Sequence, residues 1–227
     1  MPKKSHVEFT SESMGEERCP VHGDDCPFAE KLLKCQEEFL ALQSFVRLDE
    51  LTGLFNYRHF MHSIAVEFER VRRSGLVLSL IMMDVDHFKS FNDLWGHESG
   101  NTALRELART VQATVRRADI PCRYGGEEFT ILLPHTPLSA AVNLAERLRT
   151  NIENMTLNIS GEKVKMTASF GVDCFTENDT IDASHFIARA DAYLYSAKQS
   201  GRNCVRHAPT RDETSVSNEE RDLLLGG

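Results

Sequence analysis

The chain has 227 residues, 41% of them hydrophobic, and a formal net charge of -8 at pH 7. That length suits one domain of about 150 residues with its own core, plus extensions. The acidic balance argues against a basic surface for a nucleic acid polymer. No run of ~18 apolar residues is present to span a membrane, and no apolar stretch follows Lys3-Lys4 to make a secretory signal. A cytoplasmic location is therefore expected, with most of the six cysteines as free thiols.

Residues 1–26 are polar and contain Cys19, His22 and Cys26, with Cys35 further on. This is a ligand set that zinc accepts; a redox site and a polar tail with spare thiols are the other readings. From Phe28 the apolar residues Leu32, Cys35, Phe39, Leu42 and Val46 follow at alternating steps of four and three. That is a heptad stripe on a helix, and residues 27–48 are expected to form a stalk that pairs two copies of the chain. Packing of this helix on its own domain is the alternative, because the stripe is under three heptads and marginal alone.

The globular part is expected to run from 49 to 206. Asn56 to Arg73 reads as an amphipathic helix, with Phe60, Ile64, Phe68 and Val71 on one face. Leu76 to Met83 is an apolar run broken only by Ser79, the signature of a buried central strand. Helices are expected at 100–116, 138–153 and 183–199, a hairpin at 121–133 and a strand at 164–174. The order αβαββαβα implies an α+β domain, read here with the sheet on one side and the helices on the other. After Arg206 the chain turns polar, and 207–227 is expected to be a flexible tail.

Arg123-Tyr124-Gly125-Gly126-Glu127-Glu128-Phe129 falls at the tip of that hairpin. The two glycines let backbone approach a bulky polyanion, since they lack Cβ. The two carboxylates offer the hard oxygens that Mg²⁺ prefers. An ordinary Gly-Gly turn with solvated acids would read the same way in isolation. Asp84 ends the apolar strand, so a rigid element delivers its charge to the sheet edge, with Asp86 two residues on. Lys198 and Arg202 are four apart near the end of the last helix, which would put them on one face; a solvated basic helix end is the bland alternative.

Taken together, Asp49 to Asn56, Asp84 to Lys89, Asn92-Asp93, Gly96-His97, Gly125 to Phe129, Ser169 to Val172, and Ala190-Asp191 through Asn203 resemble, in order, the motifs of the GGDEF family of diguanylate cyclases. The resemblance covers about Asp49 to Val205. It implies a central antiparallel sheet flanked by helices, like the palm of nucleotide cyclases and polymerases. It also implies condensation of two GTP into cyclic di-GMP and pyrophosphate, with Mg²⁺ (or Mn²⁺) as cofactor. Asp84, Glu128, Glu127 and the carbonyl of Val85 match the metal-site positions. Glu127 would contact or deprotonate the 3′-hydroxyl. Gly125, Gly126, Phe88, Lys89, Lys198 and Arg202 match positions around the triphosphate. Asn92 matches a guanine contact. Because each domain holds one GTP, the active form would be a homodimer. Arg116 and Asp119, with Arg147, match a site where cyclic di-GMP acts as inhibitor.

The chain departs from the family at Asn101, where the pattern has an aspartate that reads guanine. Asparagine offers one acceptor and adds a donor, so it suits either purine. A promiscuous cyclase taking GTP and ATP to cyclic GMP-AMP is therefore the second reading. A catalytically silent cyclic dinucleotide receptor is the third, and it is disfavoured by the presence of all the motif acids. A pure interaction module built on the helix at 28–46 would leave those acids unexplained.

Overall fold

A computed structural model describes residues 47–209, with Lys31 and Lys34 before them. Packing divides the chain into two units, Met1–Val46 and Arg47–Gly227. Cys19, His22, Cys26 and Cys35, most of the expected stalk and the tail beyond 209 lie outside the described residues.

The apolar run becomes β2 (Leu78–Val85), the centre of the second unit. It pairs antiparallel with β4 (Glu128–Pro134) on one side and β7 (Ala168–Phe175) on the other. β3 (Ile120–Gly125) extends the sheet antiparallel beyond β4. Two short edge strands, β1 (Phe55–Asn56) and β8 (Val205–His207), add in parallel, giving the order β1-β3-β4-β2-β7-β8. A separate hairpin, β5 (Leu157–Ile159) with β6 (Glu162–Val164), was not expected; only its Val164 falls within the strand expected at 164–174, most of which is β7.

Helices cover both faces of this sheet, which corrects the one-sided arrangement expected from the sequence. Side chains alternate along a strand, and in β2 both alternations are apolar. Ile81, Met83 and Val85 pack with α3 (His97–Thr114) and α4 (Leu138–Asn154). Leu78, Leu80 and Met82 pack with α1 (Tyr57–Ser74) and α5 (Ala183–Gln199). A strand apolar on both faces needs two covers, and each fully buried Leu, Ile or Phe contributes ~1.5–3 kcal/mol. A further helix, α2 (Phe88–Trp95), was not expected; it turns sharply into α3 at Gly96.

The placement of α5 depends on Gly171. A Cβ there would lie 2.2 Å from the Ala190 carbonyl oxygen and 2.2 Å from the Leu194 nitrogen. The helix backbone thus rests directly on β7. Its N-terminus is capped by Asp182, whose side chain accepts from the His185 N–H. Its C-terminus closes at Ser200, where the Arg202 N–H returns to the Ala197 carbonyl at 3.1 Å, a Schellman-type end. No described helix is long and apolar enough to cross a membrane.

Candidate active site

Asp84 and Glu128 are direct cross-strand partners at the ends of β2 and β4. Side chains so paired lie about 5 Å apart at Cβ, and like charges there repel. Burial pushes the Asp84 carboxyl up; the Lys198 ammonium opposes this, while Glu127 and Asp86 add to it. Burial likewise raises Glu128, with Asp84, Asp191 and Glu127 adding and Lys198 opposing. Lys198 Nζ sits 2.8 Å from Asp84 Oδ2. The cation delivered by α5 therefore partly offsets a crowd of acids at the strand end.

Glu127 lies in the two-residue turn joining β3 and β4, with Gly126 at φ 54 supplying its left-handed position. A Cβ built on Gly125 or Gly126 meets nothing within 4 Å, so the space over the turn is open to a ligand. The turn is braced by Arg123, which sequence reasoning left without a role. Its Nε donates to the Gly126 carbonyl at 2.9 Å, and its Nη1 lies 3.2 Å from both oxygens of Asp49. Asp49 also accepts from the N–H and hydroxyl of Thr52. Partial burial pushes the Asp49 carboxyl up, but the Thr52 bonds and the Arg123 guanidinium hold it below the usual range. The Asp-x-x-Thr spacing is a side-chain-to-backbone turn signature that would have found this.

Asp86 belongs to the framework. Only 7% exposed, it accepts from the hydroxyls of Thr167 and Ser169 at 2.7 Å each and from the Asn203 N–H at 3.0 Å. Phe88 is also framework: it is 7% exposed and its ring stacks with Phe91 in the core, so its side chain is not at hand for a phosphate. Lys89 is exposed in the first turn of α2. Arg202 lies beyond the helix at φ 65. The expectation that Lys198 and Arg202 share a helix face is thereby corrected, because the helical spacing ends at Gln199.

Asn92 and Asn101 sit on the α2–α3 corner. Asn92 Oδ1 is buried without a hydrogen-bond partner, and a Cβ on Gly100 would come within 1.9 Å of it. An orphaned buried acceptor is costly, and a ligand donor would relieve it. Asn101 is half-buried at the start of the second turn of α3.

Arg116, Asp119 and Arg147 gather at the other end of α3. Asp119 is 6% exposed and accepts the Arg116 N–H at 2.8 Å, closing that turn. Arg147 Nη2 donates to the Thr114 carbonyl at 3.0 Å. The two arginines are exposed.

The sequence model described as "Diguanylate cyclase, GGDEF domain" matches residues 46–204. The chain belongs to the GGDEF family. Among curated relatives, this GGDEF domain is 39% identical over 160 residues to the response regulator PleD of Caulobacter vibrioides, covering 69% of this chain and 35% of that protein. It is 38% identical over 178 residues to the diguanylate cyclase VdcA of Vibrio cholerae, covering 77% of this chain and 51% of that one. The chain thus spans about a third of the first of these relatives and half of the second. Among solved structures, the GGDEF domain of DgcB from Caulobacter crescentus in complex with c-di-GMP superimposes with a TM-score of 0.68 at 30% identity, covering 71% of this chain and 95% of that one. An active GGEEF domain of a Vibrio cholerae diguanylate cyclase gives 0.64 at 31% identity, covering 68% of this chain and 97% of that one. That motif is spelled here by Gly125 to Phe129.

Among the described residues, no three side chains of His, Cys, Asp or Glu gather closely enough to hold a metal ion by themselves. Asp84 and Glu128 nonetheless fit Mg²⁺, which is usually held by one or two carboxylates together with substrate phosphates and water. The ammonium of Lys198 against Asp84 marks where positive charge is favoured.

Proposed function

We propose that this chain is a diguanylate cyclase, active as a homodimer, that condenses two GTP into cyclic di-GMP and releases two pyrophosphates. The observation that supports this most is the cross-strand pair Asp84–Glu128 beside an open Gly-Gly turn, with a lysine poised over it. Asp84, Glu128, the Val85 carbonyl and Glu127 are the groups that would hold Mg²⁺ or Mn²⁺. Such an ion, when bound, offsets phosphate charge and acidifies a coordinated hydroxyl.

In each half-reaction the 3′-oxygen of one GTP bonds to the α-phosphorus of the other. The bond from that phosphorus to the β-bridging oxygen breaks, and pyrophosphate carries off the electron pair. Glu127 on the exposed turn takes the hydroxyl proton. Lys198 and Arg202, with Lys89, bind the polyphosphate, and in-line placement by two facing domains supplies much of the rate. Asn92 receives a purine donor on its orphaned oxygen. Arg116 and Arg147 offer guanidinium forks to the phosphates or guanine edges of returning product, with Asp119 fixing the turn that presents Arg116.

The half-buried Asn101 favours one second reading: relaxed base choice, with cyclic GMP-AMP formed from GTP and ATP. The test is incubation of purified chain and MgCl₂ with GTP, with ATP, and with an equal mixture, products being resolved by chromatography. Cyclic di-GMP alone from the mixture supports the first reading, and mixed dinucleotides support the second. No dinucleotide under any condition leaves only a silent receptor. Retained turnover in Glu127→Gln across pH would remove Glu127 from the proton-transfer role, and unchanged product sensitivity in Arg116→Ala would remove the inhibitory site.

A further inference from the structure

The turn that follows α5 is held in an unfavourable backbone conformation. Arg202 and Asn203 are successive non-glycine residues at φ 65 and φ 45. Asparagine tolerates this region, but arginine avoids it, and where it occupies it the surroundings must impose it. Here Asn203 is gripped from both sides. Its N–H donates to Asp86 Oδ2 at 3.0 Å. Its Nδ2 donates to Glu153 Oε1 at 2.8 Å, and its Oδ1 accepts from Arg149 Nη1 at 3.3 Å. Asp86 is itself fixed by the hydroxyls of Thr167 and Ser169. Glu153 and Arg149 lie one turn apart on α4 and pair with each other at 3.0 Å. A single asparagine thus ties the end of β2 to the last turn of α4.

What this grip holds in place is Arg202. Its N–H is spent on the Ala197 carbonyl at 3.1 Å. Its exposed guanidinium pairs with no carboxylate among the described residues. The turn bearing it is anchored to Asp86, two residues from Asp84, and Lys198 one turn earlier already touches Asp84. The turn that carries the free cation is thereby tied to the segment that follows Asp84.

We propose that Asn203 is a positioning residue for the substrate's polyphosphate, acting through Arg202. The inference rests on the cyclase reading of the site and deepens it. Asn203 touches no substrate; it removes the freedom that a flexible arginine on a loose turn would otherwise lose on binding. A merely structural asparagine would affect base and phosphate binding alike, whereas a positioning one affects phosphate binding alone.

Asn203→Gly separates the two. Glycine adopts positive φ freely and keeps the N–H to Asp86, so the fold is spared while both bonds to α4 are lost. The probes are 3′-deoxy-GTP, which lacks the attacking hydroxyl, and guanosine, titrated into the full chain with MgCl₂. The expected result is about tenfold weaker binding of 3′-deoxy-GTP, a loss on the scale of one charge-assisted contact, with guanosine unchanged. Arg202→Ala should lose a similar factor, and the double variant no more than either. Unchanged 3′-deoxy-GTP affinity in Asn203→Gly overturns the proposal, as does equal loss for guanosine, or losses that multiply in the double variant. A wild-type chain that binds 3′-deoxy-GTP yet forms no cyclic dinucleotide from GTP overturns the cyclase reading and leaves the positioning role intact.

Discussion

Replacing Gly100 by alanine tests the base site with little risk to the fold. The new Cβ would come within 1.9 Å of Asn92 Oδ1, against an ordinary contact beginning near 3.4 Å. The amide must therefore move by about 1.5 Å. It is the end of a side chain, and its oxygen has no internal partner to lose. The strain of turning it aside is about 0.5–1.5 kcal/mol. Against this, Ala in place of Gly favours a helix by about 1 kcal/mol. Phe88 Cζ at 3.2 Å need give only a few tenths of an ångström. The thermal midpoint should therefore stay within a few degrees of wild type. Loss of a base contact worth ~1–3 kcal/mol should nonetheless lower kcat/KM for GTP by roughly 10- to 100-fold. Calorimetry and steady-state turnover measure the two quantities. Unchanged kcat/KM would refute the placement of Asn92 over the base. A stability loss of several kcal/mol would refute the claim that the amide can turn aside.

Gly171→Ala should behave oppositely. Its Cβ meets helix backbone at 2.2 Å, so α5 must shift as a body, at a cost of ~1–3 kcal/mol or more and a fall of several degrees in the thermal midpoint; an unchanged midpoint would contradict the close packing. Glu128→Gln should stabilise the metal-free protein at neutral pH. The folded carboxyl is raised, so the folded state favours its proton; the native acid costs nothing below the usual carboxylate range and becomes destabilising as pH rises through the raised value. Midpoints of variant and wild type should coincide at low pH and diverge towards pH 7, and a constant gap would count against this. MgCl₂ should raise the wild-type midpoint more than that of Glu128→Gln, with NaCl at equal ionic strength as control. Arg123→Ala should lower kcat by about 10²-fold through a loosened turn, with the midpoint falling only a few degrees; unchanged kcat would show that the brace is idle.

The strand at 78–85 was legible because a run from Leu76 to Met83 that is apolar at all but Ser79, with Asp84 next, has few other uses. Its two-sided burial was legible too, in the apolar character of both alternations, but counting helices without asking which face each covered obscured it. Helix α2 escaped notice because eight residues carry barely two turns of periodicity. β8 escaped because three residues carry no pattern. The glycines and acids of the hairpin were readable as a local run. The long-range contacts around the site were not: Arg123 reaches Asp49 across 74 residues, and Asn203 reaches Glu153 across 50 and, through its N–H, Asp86 across 117. Only folding reveals such pairs, since no local spacing encodes them. Phe88 and Lys89 show the limit of motif matching: neighbours in one motif, one is core and the other solvent-facing.

The arrangement of the site follows from one electrostatic conflict. Register forces Asp84 opposite Glu128, and burial worsens their repulsion. A fold selected for stability alone would replace one of them with a neutral residue, because a partly buried like-charged pair is unfavourable at neutral pH. The chain keeps both and brings Lys198 against one of them on α5. Gly171 sets the height of α5 above the sheet, and Asn203 fixes the turn after it. The position of the cation is therefore determined by backbone packing at one point and by hydrogen bonds at the other; under the proposed cyclase reading, the lysine side chain would exchange its carboxylate for a phosphate.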